Sequence, residues 1–188
     1  FNRLVQSPFQ LGTWSILEPA GSQNHAPQLC WLSSNQLGCV WMAGSGEGTA
    51  GMSIVMSFLR RESRCWSKPR KISQDNSRSE QNPLLFLSEA ETGEYDLQLI
   101  HTAQKVRTPG ESRAESGTFS MQWTASLKSQ RRSQHKGRWS KAIDLLDTPA
   151  FCRHPPHRRE DGKWLLPIYR SLESGGAFGH DYSEILIL

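Results

Sequence analysis

Apolar positions along this chain fall in short runs separated by polar turns and glycines, the pattern of a strand-built protein. The stretch Asn24–Gly51 shows it most clearly. Gln28–Leu32 is one apolar run, Ser33-Ser34-Asn35-Gln36 is a polar turn, and Leu37–Ala43 is the returning run. Together they predict a tight β-hairpin. A glycine-rich loop with a single acid, Glu47, follows, and then a third strand over 52–59.

The same phase recurs. Trp-Ser steps stand at Trp14-Ser15, Trp66-Ser67 and Trp139-Ser140, and each is followed by an X-Pro step: Ala26-Pro27, Asn82-Pro83 and His154-Pro155. The intervals from Trp to Pro are 13, 17 and 16 residues. Beyond each proline the pattern predicts a strand, a turn and a second strand. In the second unit these are Leu84–Ser88, the turn Glu89–Glu94 and Tyr95–Thr102. In the third they are a short polar segment, the turn Glu160-Asp161-Gly162 and Lys163–Tyr169. Third strands are predicted over 52–59, 118–127 and 182–188, with a polar insertion, Lys105–Gly117, in the second unit. The Trp-Ser segments are the fourth strands. Four antiparallel strands per repeat mark a β-propeller blade, with a β-sandwich as the alternative. The predicted divisions are a blade end over 1–23, blades over 24–75 and 76–148, and a partial blade over 149–188. About three blades make an incomplete ring.

Composition changes this picture little. The 188 residues include seven Trp and carry a net charge of +4. The basic residues cluster around Arg60–Lys71 and Lys128–Lys141, read as solvated loops, so no nucleic-acid partner is expected. Four cysteines without a CxxC spacing suggest buried free thiols, although Cys30 and Cys39 flank a turn and could pair. No apolar run reaches the roughly 18 residues of a membrane span, and the N-terminus does not read as a signal peptide. The compartment stays open. Gly46-x-Gly48-x-x-Gly51 matches a dinucleotide fingerprint, but a strand rather than a helix is predicted after it. His154-Pro155-Pro156-His157 has no carboxylate pair nearby. No cofactor or metal is expected.

Five segments in order resemble the sialidase-like (neuraminidase-like) glycoside hydrolases with bacterial-neuraminidase repeats, in particular their predicted-neuraminidase branch. They are His25-Ala26-Pro27, the Trp41–Gly48 segment, Asn82–Phe86, Trp66-Ser67-Lys68-Pro69, and Asp161–Tyr169. The resemblance runs from about residue 24 to the end. It implies a six-bladed propeller with its site on the central axis, and an exo-acting hydrolase that removes a terminal acidic sugar with retention. It further implies a Tyr–Glu nucleophile pair, an Asp acid/base and three arginines that clamp the sugar carboxylate. The sequence departs from that pattern in two places. His25-Ala26-Pro27 stands where the family has Arg-Ile-Pro, and the Asp boxes before Trp66 and Trp139 are degraded.

The candidate site follows. Glu47 lies where the family's acid/base falls, and Tyr169 is the second catalytic candidate. His25, Asn82 and His154 precede the repeated prolines and would converge on sugar hydroxyls from one end of the ring. Arg153, in Phe151-Cys152-Arg153-His154-Pro155-Pro156, suits a bidentate grip on a sugar carboxylate. Arg170, at the end of the same strand as Tyr169, and His101 and Gln104, after the second hairpin, complete the set. The reading that follows is a sialidase-like exo-glycoside hydrolase domain acting on terminal sugars of glycans or polysaccharides. Its partners would be the glycan and the remaining half of its own ring. Two other classes remain open, a non-catalytic carbohydrate-binding module and a propeller polysaccharide lyase.

Overall fold

A computed structural model describes residues 1–7, 12–73, 75–90, 93–106, 124–133, 137–172 and 180–188. Three antiparallel sheets follow one another along the chain. Sheet I holds β3 (Gln23–Ser33), β4 (Gln36–Gly44), β5 (Ser53–Arg60) and β6 (Arg70–Lys71) in sequential order. Sheet II repeats that order with β7 (Arg78–Glu89), β8 (Tyr95–Lys105), β9 (Ser126–Arg132) and β10 (Ile143–Asp144). In sheet III, β11 (Phe151–Cys152) and β12 (His157–Arg158) lie along one edge of β13 (Trp164–Leu172), and β14 (His180–Ile187) lies along the other. Before them, β1 (Val5–Gln6) and β2 (Thr13–Trp14) form a small hairpin.

The sheets pack face to face, and each interface is an apolar layer. Val40, Met42, Met52, Ile54 and Met56 of sheet I meet Leu85, Leu97 and Leu99 of sheet II. Leu84, Phe86, Ile100 and Leu127 of sheet II meet Cys152, Leu166 and Ile168 of sheet III. β4 is buried on both faces from Gly38 to Ala43, which explains its continuous apolar run where a half-exposed strand would alternate. The inner strands are also joined directly. The Gln28 side chain accepts from Leu85 N at 2.8 Å and donates to Leu85 O at 3.1 Å. Cys152 Sγ reaches Asn82 O at 3.4 Å. The result is an all-β arc of a sialidase-type propeller, an incomplete ring of about three blades with β3, β7 and β11–β12 innermost.

Two expectations change. The strand predicted over 118–127 overlaps the observed one only at its end. Residues 118–123 lie outside the described residues, and the strand that pairs with β8 is Ser126–Arg132. Part of the basic stretch read as a loop is therefore β9. Only Leu127 in it is apolar. Two of its polar side chains find local partners, Gln130 Nε2 donating to Ser140 O at 3.1 Å and Lys128 pairing with Asp144 at 2.8 Å. Cys30 and Cys39 are free, because Cys30 faces Gly38 and Cys39 faces Leu29, on opposite faces of the hairpin. Among the described residues no helix is long and apolar enough to cross a membrane.

Candidate functional site

The end of the arc where β3, β7 and β11 begin gathers most of the candidate residues, because each inner strand is broken there by an X-Pro bulge. In β3, His25 pairs with Met42 and Gln28 with Val40, which leaves Ala26-Pro27 extra by one residue. In β7, Gln81 pairs with Thr102 and Leu84 with Ile100, and Asn82-Pro83 does the same. Proline cannot supply a ladder N–H, so it sits naturally at such an interruption. Ala26 and Asn82 share a left-handed backbone, φ 54° and 50°. In sheet III the gap lies between Cys152, opposite Ile168, and His157, opposite Leu165, and contains Arg153–Pro156.

Register then corrects one sequence expectation. The residues directly before the prolines are Ala26, Asn82 and His154, while His25 lies one place upstream, in the row of Gln81 and Arg153. His25 is half-buried in a cleft of about 180 Å³ with Leu17, Glu18, Asn24 and Trp41, on the side of sheet I away from sheet II. Asn24 Oδ1 accepts from Trp41 Nε1 at 3.2 Å and from Ala20 N at 2.9 Å, which fixes the wall of that cleft.

Glu47 rides on the β4–β5 loop, half-buried. Its backbone N–H donates to Gln23 Oε1 at 3.0 Å, and Gly48 N donates to Ser79 Oγ at 3.0 Å. The loop is thus pinned at once to its own sheet and to the start of β7 on the next. Glycine is required at both its start and its turn. A Cβ on Gly44 would lie 2.7 Å from Gly51 O, and Gly48 has φ 78°.

On sheet III, Tyr169 stacks on Phe151 with ring centroids 4.9 Å apart. Burial pushes its phenol up, opposed by the Arg153 guanidinium hydrogen-bonded to it. Arg153 and His154 are exposed beside the bulge. Arg170 has another role. It grips Glu184 at 2.7 and 3.3 Å and also donates to Thr148 and Pro149, so its fork joins β13 to β14 and to the segment before β11. Glu184 in turn holds the guanidinium pKa above its usual value.

His101 moves furthest from expectation. It is fully buried between sheets I and II, its Nε2 3.2 Å from Glu80 Oε1. Gln104 is buried as well. Glu80 shares the face of His101, whereas Gln104 and Thr102 lie on the other face of sheet II, opposite Ser79 and Gln81, and Ser79 accepts from Gly48 N of the Glu47 loop. Glu80 Oε2 and His101 Nδ1 have no partner among the described residues. A buried polar atom without a hydrogen-bond partner is costly. Glu80 stands in the polar run Ser79-Glu80-Gln81 ahead of Asn82-Pro83, which carries no motif of its own. Its one signal was the absence of apolar residues in the first half of a strand that becomes fully apolar after the proline.

The sheets, their inward bulges and their order define a sialidase-type β-propeller arc. The chain belongs to the BNR repeat-like domain family, which it matches over residues 35–187. No curated protein matches it. Among solved structures it is similar to a protein of unknown function from Dyadobacter fermentans, at 11% identity and a TM-score of 0.66, covering 92% of this chain and 53% of that one. It is also similar to a xylan β-1,4-xylosidase from Bacillus halodurans, at 14% identity and a TM-score of 0.51, covering 90% of this chain and 29% of that one. The chain therefore spans about half the length of the first and under a third of the second, and these likenesses concern the fold.

Proposed function

We propose that this chain contributes one half of a glycan site to an exo-glycoside hydrolase of the sialidase-like kind. The observation that carries the proposal is the Glu47 loop, tied by Gly48 N to Ser79 Oγ across two sheets and so held at the end of the arc where the bulges gather. A carboxyl group carried there can give its proton to a glycosidic oxygen as the bond from that oxygen to the anomeric carbon breaks. Asn82 in β7 and His154 between β11 and β12, each directly before a proline, would accept and donate to sugar hydroxyls. Arg153 is the guanidinium suited to a sugar carboxylate, and Tyr169 beside it is the second catalytic group, with the nucleophile lying outside this chain. The Bacillus halodurans neighbour is named a xylosidase, which extends the test to neutral sugars.

A second reading, glycan binding without turnover, is favoured by one observation. Arg170, the arginine of β13, spends its donors on Glu184, Thr148 and Pro149. The Glu47→Gln variant separates the two. Assayed on 4-nitrophenyl glycosides of acidic and neutral sugars, it should lose at least about 100-fold in turnover if Glu47 is the acid/base. Turnover equal to wild type removes Glu47 from the mechanism. No turnover by either protein, with equal glycan binding, leaves the binding module as the correct reading.

A further inference from the structure

The X-Pro bulges of sheets I and II are braced in the same way, by side chains. A bulge interrupts the backbone ladder, so the strand ahead of it needs another tie. In β3 the residue opposite Ala26-Pro27 is Trp41, which lies between Met42, the partner of His25, and Val40, the partner of Gln28. Trp41 Nε1 donates to Asn24 Oδ1 at 3.2 Å, and the same oxygen accepts from Ala20 N, in the segment entering the strand, at 2.9 Å. In β7 the residue opposite Asn82-Pro83 is His101, between Thr102, the partner of Gln81, and Ile100, the partner of Leu84. His101 Nε2 lies 3.2 Å from Glu80 Oε1, and that oxygen accepts from Asp75 N, again in the entering segment, at 3.4 Å. Asn24 and Glu80 each stand three residues before the proline. In both sheets one side-chain oxygen gathers a ring nitrogen from the next strand and an amide from the incoming chain.

The two braces differ in cost. Asn24 and Trp41 are neutral, and their polar atoms are partnered. Glu80 and His101 are 1% and 0% exposed, and Glu80 Oε2 and His101 Nδ1 have no partner among the described residues. Lys128, which faces His101 from β9, is held by Asp144 at 2.8 Å. A buried pair in this state adds little to stability, and apolar side chains of similar volume often replace one without loss. What hangs from the brace in sheet II is a loop of the neighbouring sheet. Ser79 Oγ accepts from Gly48 N at 3.0 Å, and Glu80 N donates to Met52 O at 3.1 Å. These two bonds hold the Glu47 loop at its middle and at its end. Inside the loop Thr49 N and Thr49 Oγ1 donate to Gly46 O at 3.1 and 2.5 Å, which makes it one piece.

We propose that Glu80 and His101 are positioning residues for Glu47. The pair fixes the start of β7 across its bulge, and the start of β7 fixes the loop. Both side chains are buried, so they act through the loop and not on the sugar. The inference rests on the reading of Glu47 as the acid/base, and it names the part of sheet II on which the placement of that carboxyl depends.

The test is amide hydrogen exchange of the whole chain, read by nuclear magnetic resonance at the buried Gly48. Leu99, in the middle of β8, serves as the reference for opening of the sheets. Glu80→Met combined with His101→Leu removes the pair and fills its space. In that variant Leu99 should exchange as slowly as in the native protein, and Gly48 about tenfold faster or more, the size of one lost hydrogen bond. Glu80→Gln keeps an acceptor for His101 and Asp75 N, and should hold Gly48 within about threefold of its native rate. A double variant whose Gly48 exchanges at the native rate overturns the proposal. So does one in which Gly48 and Leu99 accelerate together, since the pair is then only part of the core, and so does a Glu80→Gln protein as fast at Gly48 as the double variant. Turnover by the Glu47→Gln variant tests the acid/base reading separately, because its loss or survival leaves the exchange result as it stands.

Discussion

Cys39 and Cys152 show how strongly single side chains feel their layer. Each is buried, Cys39 on the outer face of sheet I and Cys152 between sheets II and III. Burial pushes the Cys39 thiol up to about 11 and the Cys152 thiol up to about 12. Both therefore stay protonated and inert where an ordinary thiol begins to react. With Ellman's reagent at mildly alkaline pH, the exposed Cys65 should react at once, and Cys39 and Cys152 only after denaturant is added. A raised thiol pKa in the folded state also fixes a sign. The contribution to stability is present below the unfolded thiol pKa of about 8.5 and is lost as pH rises above it. Denaturation midpoints should fall between neutral and alkaline pH, and a variant with both residues replaced by Ala should fall less. At this scale the sequence is uneven in what it reveals. Buried thiols were legible from the apolar residues around Cys39. The Glu80–His101 contact was not, since it depends on two strands that only register brings together.

Among elements, the X-Pro bulges organise the end where the candidate residues gather. They were legible as repeated prolines, but their register was not. The sequence expectation sets His25 beside Asn82, whereas pairing sets Ala26 there, and Ala26 and Asn82 share the left-handed backbone. β9 was misplaced for a related reason. Its seven residues, Ser126–Arg132, hold one apolar side chain, so hydrophobic patterning could not find a strand stabilised by Gln130, Lys128 and backbone pairing. The join between inner strands is equally invisible in sequence. Gln28 satisfies both backbone groups of Leu85, itself 1% exposed. Gln28→Ala strands a buried N–H and C=O, and should cost about 1–3 kcal/mol by urea denaturation. Gln28→Glu keeps an acceptor for Leu85 N but loses the donor, and should fall between. A loss under 0.5 kcal/mol, roughly the range of neutral surface changes, would mean that the two sheets are held by their apolar layer alone.

The molecule as a whole is an arc whose candidate site residues gather at one end of its inner strands. The opposite end has a cleft of about 630 Å³ between the β3–β4 and β7–β8 turns, lined by Trp31, Leu32, Arg61, Leu87 and Tyr95. Trp31 and Tyr95 there are 61% and 44% exposed, the kind of aromatic surface that also takes sugar rings. The number of sheets and the propeller class were legible from the recurring Trp-Ser and X-Pro phase. Which end carries the site was an inference from the resemblance. The most direct measurement is calorimetric titration of 4-nitrophenyl glycosides, acidic and neutral, into wild type and three variants: Asn82→Ala, Arg153→Ala and Trp31→Ala. If the site lies at the bulge end, Asn82→Ala and Arg153→Ala should each weaken binding about tenfold or more, a loss near 1.4 kcal/mol, and Trp31→Ala should bind as wild type does. Binding lost in Trp31→Ala and kept in the other two would contradict the account and move the glycan to the opposite end of the arc.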